Sequence, residues 1–179
     1  MAESFSNSFT RAAGIVTTST NGSIGANANT ITGISTVGVA VSALVDNGNF
    51  IAGTKVTAIG SDQVTVDRSS TNTSSTTSQT VRFLGPTTAY TSTGGVKSIL
   101  IGGTFANNTN NQVTLTVESY DNSAGVTVAI ASKIPVPAGS SFVISDTGKT
   151  LLEGNDELRI YADTNNAIDA NMSILTGVS

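Results

Sequence analysis

The side chains able to do chemistry in this chain are few, and they collect in three polar stretches. Glu153, Asp156 and Glu157 stand together in L-L-E-G-N-D-E-L. Three carboxylates at that spacing offer oxygen ligands to a hard cation such as Ca²⁺, but the run lacks the D-x-[DN]-x-[DN]-G order of a calcium loop. Flanked by Leu152 and Leu158, it reads first as a polar turn between two strands. Asp46, Asn47 and Asn49 in D-N-G-N, and Asp163, Asn165, Asn166 and Asp169 further on, follow the same pattern of oxygen-bearing side chains in a turn. Serine is abundant, yet the chain has no His to act as its base and no Cys to act as a thiolate. The glycine pairs at 94–95 and 102–103 are not followed by G-K-[ST], so they do not match a phosphate loop. A glycosidase pair of carboxylates needs a cleft with sugar-stacking aromatics. Trp is absent, and the tyrosines are only Tyr90, Tyr120 and Tyr161. The expectation is no catalytic residue, no metal and no cofactor.

The elements that carry these turns alternate with a period of two. Val113, Leu115 and Val117 are separated by threonines, and Y-D-N-S-A-G joins them, as a hairpin turn, to Val126, Val128 and Ile130. Leu158, Ile160 and Ala162 predict a strand with Arg159 and Tyr161 turned outward. Ile168, Ala170, Met172 and Ile174 predict the last strand, and Ile99, Ile101 and Phe105 one face of another. In the middle of the chain, strands are expected near 30–34, 37–45, 54–59, 63–67 and 79–84. Their turns would be D-N-G-N, I-G-S-D and the Ser/Thr tract 68–78, read as a loop rather than the arm of a long β-tongue. Short strands punctuated by turn residues predict an all-β, antiparallel β-sandwich or jelly-roll-like fold. The flanks of the middle region, G-I-V-T-T-S-T and P-T-T-A-Y-T-S-T-G-G, resemble each other. This suggests a small β-module, residues 21–85, inserted into an outer domain of 1–20 plus 86–179.

Charged residues make up 11% of the 179 positions and the net charge is −4. Without a basic face, nucleic acid is not an expected partner. No apolar run approaches the ~18 residues needed to span a bilayer, so no membrane partner is expected. The first ten residues carry an early Glu and no apolar core, unlike a secretory signal. A Thr-rich, low-charge β-protein without an export signal fits a particle that leaves its host by lysis.

Two segments speak to assembly. In K-I-P-V-P-A-G-S-S-F-V-I, Pro135 and Pro137 sit two residues apart, so both remove an N–H from the same edge of a strand. Pro137-Ala138-Gly139 suits a type I turn with Pro second and Gly fourth, leading into a strand at 140–145. That is a blunted edge followed by a corner. At the N-terminus, Phe5, Phe9 and Arg11 lie in a polar run too uneven to read as a strand. It is either an arm that docks on a neighbouring subunit or a segment that folds back on its own core.

The run I-P-V-P-A-G-S-S-F-V-I, then L-L-E-G-N-D-E-L-R-I-Y-A-D (151–163) and I-D-A-N-M-S-I-L (168–175), resembles a C-terminal pattern in small virion structural proteins of tailed phages, those of marine cyanobacteria in particular. V-K-S-I-L-I-G-G-T-F-A-N-N-T (96–109) fits the same pattern. The stretch I-T-G-I-S-T-V-G-V with F-I-A-G-T-K-V-T-A-I-G-S-D-Q-V-T-V is similar to a β-rich unit that recurs in phage structural proteins. The resemblance implies a homo-oligomeric accessory protein of the virion, decorating or cementing the capsid surface. Its partners would be copies of itself and other virion proteins, such as the major capsid protein or neck and tail proteins. It would be assembled in the host cytoplasm and released by lysis. A neck or tail accessory, or a receptor- or carbohydrate-binding module of the particle, is the competing expectation, and a depolymerase is a third.

Overall fold

The computed structural model describes residues 2–144 and 149–178. Among these the chain forms strands β1 to β15, each pairing antiparallel, and no helix. The molecule is all-β, and it divides into two compact units: Met1–Gly14 with Thr87–Ser179, and Ile15–Pro86.

The first unit is a β-sandwich. One sheet runs β1 (Ser4–Ala13), β15 (Ile168–Val178), β9 (Lys97–Asn107), β12 (Ser141–Ile144), with β13 (Thr150–Leu152) also on β9. The other runs β11 (Val126–Val136), β10 (Val113–Asp121), β14 (Glu157–Ala162), β8 (Thr87–Thr91). Alternate residues of the inner strands meet in one core, which includes Leu100, Phe105, Val113, Leu115, Val117, Leu158, Ile160, Met172 and Ile174. Phe142 packs against it, with its ring 6.4 Å from that of Phe105. The period-two readings at 113–117 and 168–174 therefore name true core faces. The chain leaves this unit at Gly14 and returns at Thr87, whose Oγ1 accepts a hydrogen bond from the Gly14 N–H at 3.3 Å.

The second unit is one six-stranded sheet in the order β4 (Leu44–Asp46), β7 (Thr76–Gly85), β2 (Ile15–Ile24), β3 (Thr30–Thr32), β6 (Gln63–Val66), β5 (Val56–Ile59). It has its own core of Ile24, Ile31, Val45, Phe50, Val64, Val81 and Phe83, with smaller neighbours. Buried Ser70 ties its loops together: its Oγ donates to the Gly25 carbonyl and accepts from the Ala28 N–H.

Several local expectations are corrected. Residues 15–20, assigned by sequence to the outer domain, pair with β7 from Ile15↔Gly85 to Ser19↔Val81. Residues 37–45 are mostly turns. Gly38 and Ser42 take positive φ, and Val37 and Val41 face solvent while Ala43, Leu44 and Val45 are buried. In β9 the buried apolar side chains are Leu100 and Phe105, with Ile99 and Ile101 on the other face. A register shift near Ile101 makes the two halves of the strand change phase. Val126 and Val128 are exposed. Tyr161 points away from the core, as expected, yet is fully buried on that opposite side. The corner after β11 is shifted by one residue. The Ser140 N–H donates to the Pro137 carbonyl, and Gly139 sits third in the turn with φ +65°, the type II arrangement. Ser145 of the expected strand 140–145 lies outside the described residues; Ser141–Ile144 is β12.

Candidate assembly surface

The N-terminal run, which alternates polar and aromatic residues, folds as β1 onto its own sheet. Its inward side chains are small and polar, and the Ser8 and Thr10 hydroxyls donate to the Ala89 carbonyl of β8. Its outward side chains include Phe5, 77% exposed, and Phe9, 72% exposed. These two sites named from sequence are therefore on a strand face rather than a loose arm.

Register then carries the apolar surface across the sheet. Phe5 is opposite Leu175, Leu175 opposite Ile99, and Ile99 opposite Leu151. A second row runs Phe9, Asn171, Thr104, Val143. Leu151 and Val143 are 51% and 56% exposed. With about 200 Å² for a whole Phe and somewhat less for Leu or Val, the four exposed side chains alone leave on the order of 450 Å² of apolar surface. In the second row the polar side chains of Asn171 and Thr104 stand between Phe9 and Val143, so the apolar groups share one face without forming a single continuous patch. Beside Phe9 lies a groove of about 450 Å³ lined by Arg11, Thr104, Ala106, Asp169 and Asn171. The sequence showed the two phenylalanines two alternations apart. The alignment with Leu151 and Val143, more than 130 residues away, is visible only in the folded register.

Of the two prolines expected to blunt one strand edge, Pro135 lies in β11, the edge strand of the other sheet, and Pro137 lies just past its end. Thr114 of β10 faces β14 with both backbone groups: its N–H reaches Asp163 Oδ1 at 2.9 Å and its carbonyl accepts from the Asp163 N–H at 3.2 Å. In an antiparallel ladder the two polar groups of a residue point to the same side. Pro135, opposite Thr114 in β11, is therefore in a non-hydrogen-bonded pair, and its missing N–H falls on the free edge. Pro137 follows the strand at the corner. Buried Asn107 fixes that corner, donating from Nδ2 to the Val136 carbonyl at 2.9 Å and the Pro137 carbonyl at 3.2 Å.

The acidic stretch does not converge. Asp156 is buried, and each of its carboxylate oxygens accepts a backbone N–H: Asn122 at 3.0 Å and Glu153 at 2.8 Å. Glu153 points to Lys97 Nζ at 3.7 Å. Glu157 accepts from Arg159 Nε at 2.7 Å and from Thr88 Oγ1 at 3.3 Å. Asp163 Oδ1 accepts from Thr114 N–H, and Asp169 Oδ1 from the Ala12 N–H at 2.7 Å. In D-N-G-N, Asn47 Oδ1 accepts from the Asn49 N–H, an Asx turn, and Asp46 pairs with Arg82 at 3.1 Å. Among the described residues no three acidic groups are placed to hold one ion.

A polar layer that the sequence reading missed covers the outer side of the β10–β14 pair. Arg159 lies opposite Glu118, bonded to Glu157, with its guanidinium carbon 3.9 Å from the Tyr120 ring centre. Burial lowers the Arg159 pKa, but the hydrogen bond and charge of Glu157 outweigh that and hold it above its ordinary value. Tyr161 is held far above the usual phenol range, first by burial and then by the neighbouring Glu118 carboxylate, which its hydroxyl hydrogen-bonds. At the β10–β11 hairpin, Asp121 accepts from the Ala124 N–H and the Ser123 hydroxyl, which hold its carboxyl below the ordinary range. These groups are spent on one another, as a layer that fixes strand register would require.

No family model and no curated protein matches the chain. Similar solved structures include one of the infectious bursal disease virus Gt strain, 9% identical, covering 95% of this chain and 57% of that one, with TM-score 0.32. The T13 particle of the same virus is 10% identical over 98% of this chain and 69% of that one, TM-score 0.32. Arthrobacter globiformis T6 isomalto-dextranase complexed with panose is 13% identical over 90% of this chain and 34% of that one, TM-score 0.26. The chain thus spans little more than half the length of the first of these, and likenesses at such TM-scores carry no argument about what it does.

Proposed function

We propose that this chain is a structural component of a tailed-phage virion that decorates or cements the particle surface through repeated protein–protein contacts. The observation that carries the reading is the outer face of the β1–β15–β9 sheet. There Phe5, Phe9, Val143 and Leu151 project from a sheet whose opposite side is tied into a packed core. A rigid sheet with an apolar face loses little conformational freedom on docking, so modest contacts repeated over a symmetric lattice give firm attachment. The resemblance of segments 96–109, 134–144, 151–163 and 168–175 to phage structural proteins supports the particle as the setting. The acidic turns act as backbone clamps in this reading, and no reaction is assigned to them.

The test is co-sedimentation of the purified chain with isolated tailed-phage capsids and tails, beside a V143D/L151K variant. The expected result is saturable binding by the parent and at least tenfold weaker binding by the variant, with unchanged thermal stability. Absence of binding to either particle part would overturn the proposal.

A further inference from the structure

The sandwich has several sheet edges, and all but one are protected. β12 and β13 are only four and three residues long. β8 has five residues and a register shift against β14. β11 is long, but it has Pro135 on its free side and two register shifts against β10. Short strands, prolines and bulges are the devices by which sheets avoid pairing with other chains. β1 has none of them over its first seven residues. It runs in unbroken register with β15 from Ser4 to Thr10, it contains no proline, and β15 is its one strand neighbour among the described residues.

Its outward side chains also have an internal symmetry. Reading every second residue from just before the strand gives Glu3, Phe5, Asn7, Phe9, Arg11. Asn7 is the centre, an aromatic stands two residues away on each side, and opposite charges stand four away. Two antiparallel copies of β1 related by a two-fold axis at Asn7 would place Phe5 of each beside Phe9 of the other, and Glu3 of each beside Arg11 of the other. The Phe pairs would lie on the outer face at the separation of direct cross-strand pairs, and Glu3 and Arg11 would meet just beyond the two ends of the unbroken register. A two-fold contact requires this self-complementary arrangement. The ends of the run are held in place: Ala2 and Glu3 lie against Gly177, and the Ala12 N–H is fixed by Asp169.

We infer that two copies of this chain pair edge to edge through β1, with the two-fold axis at Asn7, joining their outer sheets into one continuous sheet. The inference deepens the virion reading, because the joined face would present two apolar patches side by side to the particle.

The full chain is tested by analytical ultracentrifugation and by cross-linking. The parent is expected to sediment at twice its 18.0 kDa mass. E3R or R11E alone places like charges opposite each other at two equivalent points and should weaken the dimer by about tenfold. The double variant E3R/R11E restores opposite charges and should recover the parent's affinity to within about threefold. Because the chain has no cysteine, N7C should give a disulfide-linked dimer on oxidation, whereas V126C, exposed on the other sheet, should not. A monomer at all concentrations, a double variant no better than the singles, or equal cross-linking of V126C would overturn the inference. A monomer that still binds phage particles would overturn it while leaving the virion role standing. A dimer that binds no particle would do the reverse.

Discussion

Replacing Asp156 by alanine separates a structural clamp from a cation site. The Asp156 carboxylate is 5% exposed and is held by two backbone N–H donors, Asn122 at 3.0 Å and Glu153 at 2.8 Å. Those donors belong to two different loops, the β10–β11 hairpin and the turn before β14, so the side chain joins them. Hydrogen bonds to a charged group contribute about 1.5–3 kcal/mol each, and the alanine leaves two donors without their acceptor. Water reaching one of the freed N–H groups offsets part of this, which puts the expected loss at about 3–5 kcal/mol. For a chain of this size, ~1 kcal/mol shifts Tm by roughly 2–4 °C, so D156A should melt about 6–20 °C lower. The assay is thermal unfolding followed by circular dichroism, run in EDTA and again in millimolar Ca²⁺. The two parent curves should coincide, and the variant should lose the same amount in both. A parent stabilised by Ca²⁺, with that gain abolished in D156A, would refute the clamp and restore the cation reading. A loss below ~1 kcal/mol would contradict the clamp.

Three further outcomes follow from particular contacts. G14A should be destabilised by about 3 kcal/mol or more in urea unfolding, because Gly14 has φ +121° and a Cβ there would collide with the Thr164 carbonyl. Stability should fall as pH rises above about 10, with a limiting slope near 1.4 kcal/mol per pH unit from Tyr161. The sign follows from its raised pKa: the unfolded chain releases the phenol proton there while the folded chain retains it, so the folded state binds more protons. In Y161F that contribution to the alkaline slope should vanish, and the variant should be about 1–3 kcal/mol less stable at neutral pH, since buried Glu118 loses a donor. N107A should loosen the corner after β11 and cost about 2–4 kcal/mol, because its Nδ2 serves the Val136 and Pro137 carbonyls from a buried position.

The parts of the fold that could be read from sequence are strands with one wet and one dry face. In β15 the alternation Ile168, Ala170, Met172, Ile174 is interrupted by Asp, Asn and Ser, so only one orientation buries the apolar set, and that orientation is observed. The reading failed where side chains on both faces were alike. In residues 37–45 the valines share one phase, but the other phase holds Gly38, Ala40, Ser42 and Leu44, small or apolar residues that mark no wet face, and the left-handed conformations at Gly38 and Ser42 turn the chain instead. It failed again at edges. Val126 and Val128 have the pattern of a buried strand, but β11 has a neighbour on one side only, and there those side chains stay exposed. β1 was hidden for a related reason: its inward face is Ser and Thr, which meet a carbonyl of β8 rather than a hydrophobic core, so no apolar face marked it as a strand. The acidic stretch was legible as a turn because Leu152 and Leu158 bracket it. The distant N–H of Asn122 that Asp156 accepts could not be seen without the fold. The same limit applied to the assembly surface, whose two rows are assembled from five strands scattered along the chain.

The proposed virion role depends on the outer face of the β1–β15–β9 sheet being a contact surface. A density map of the intact particle with this chain located within it tests that claim most directly. Phe5, Phe9, Val143 and Leu151 should lie against a neighbouring particle protein. Density placing that face in open solvent, with attachment made through other surfaces, would contradict it.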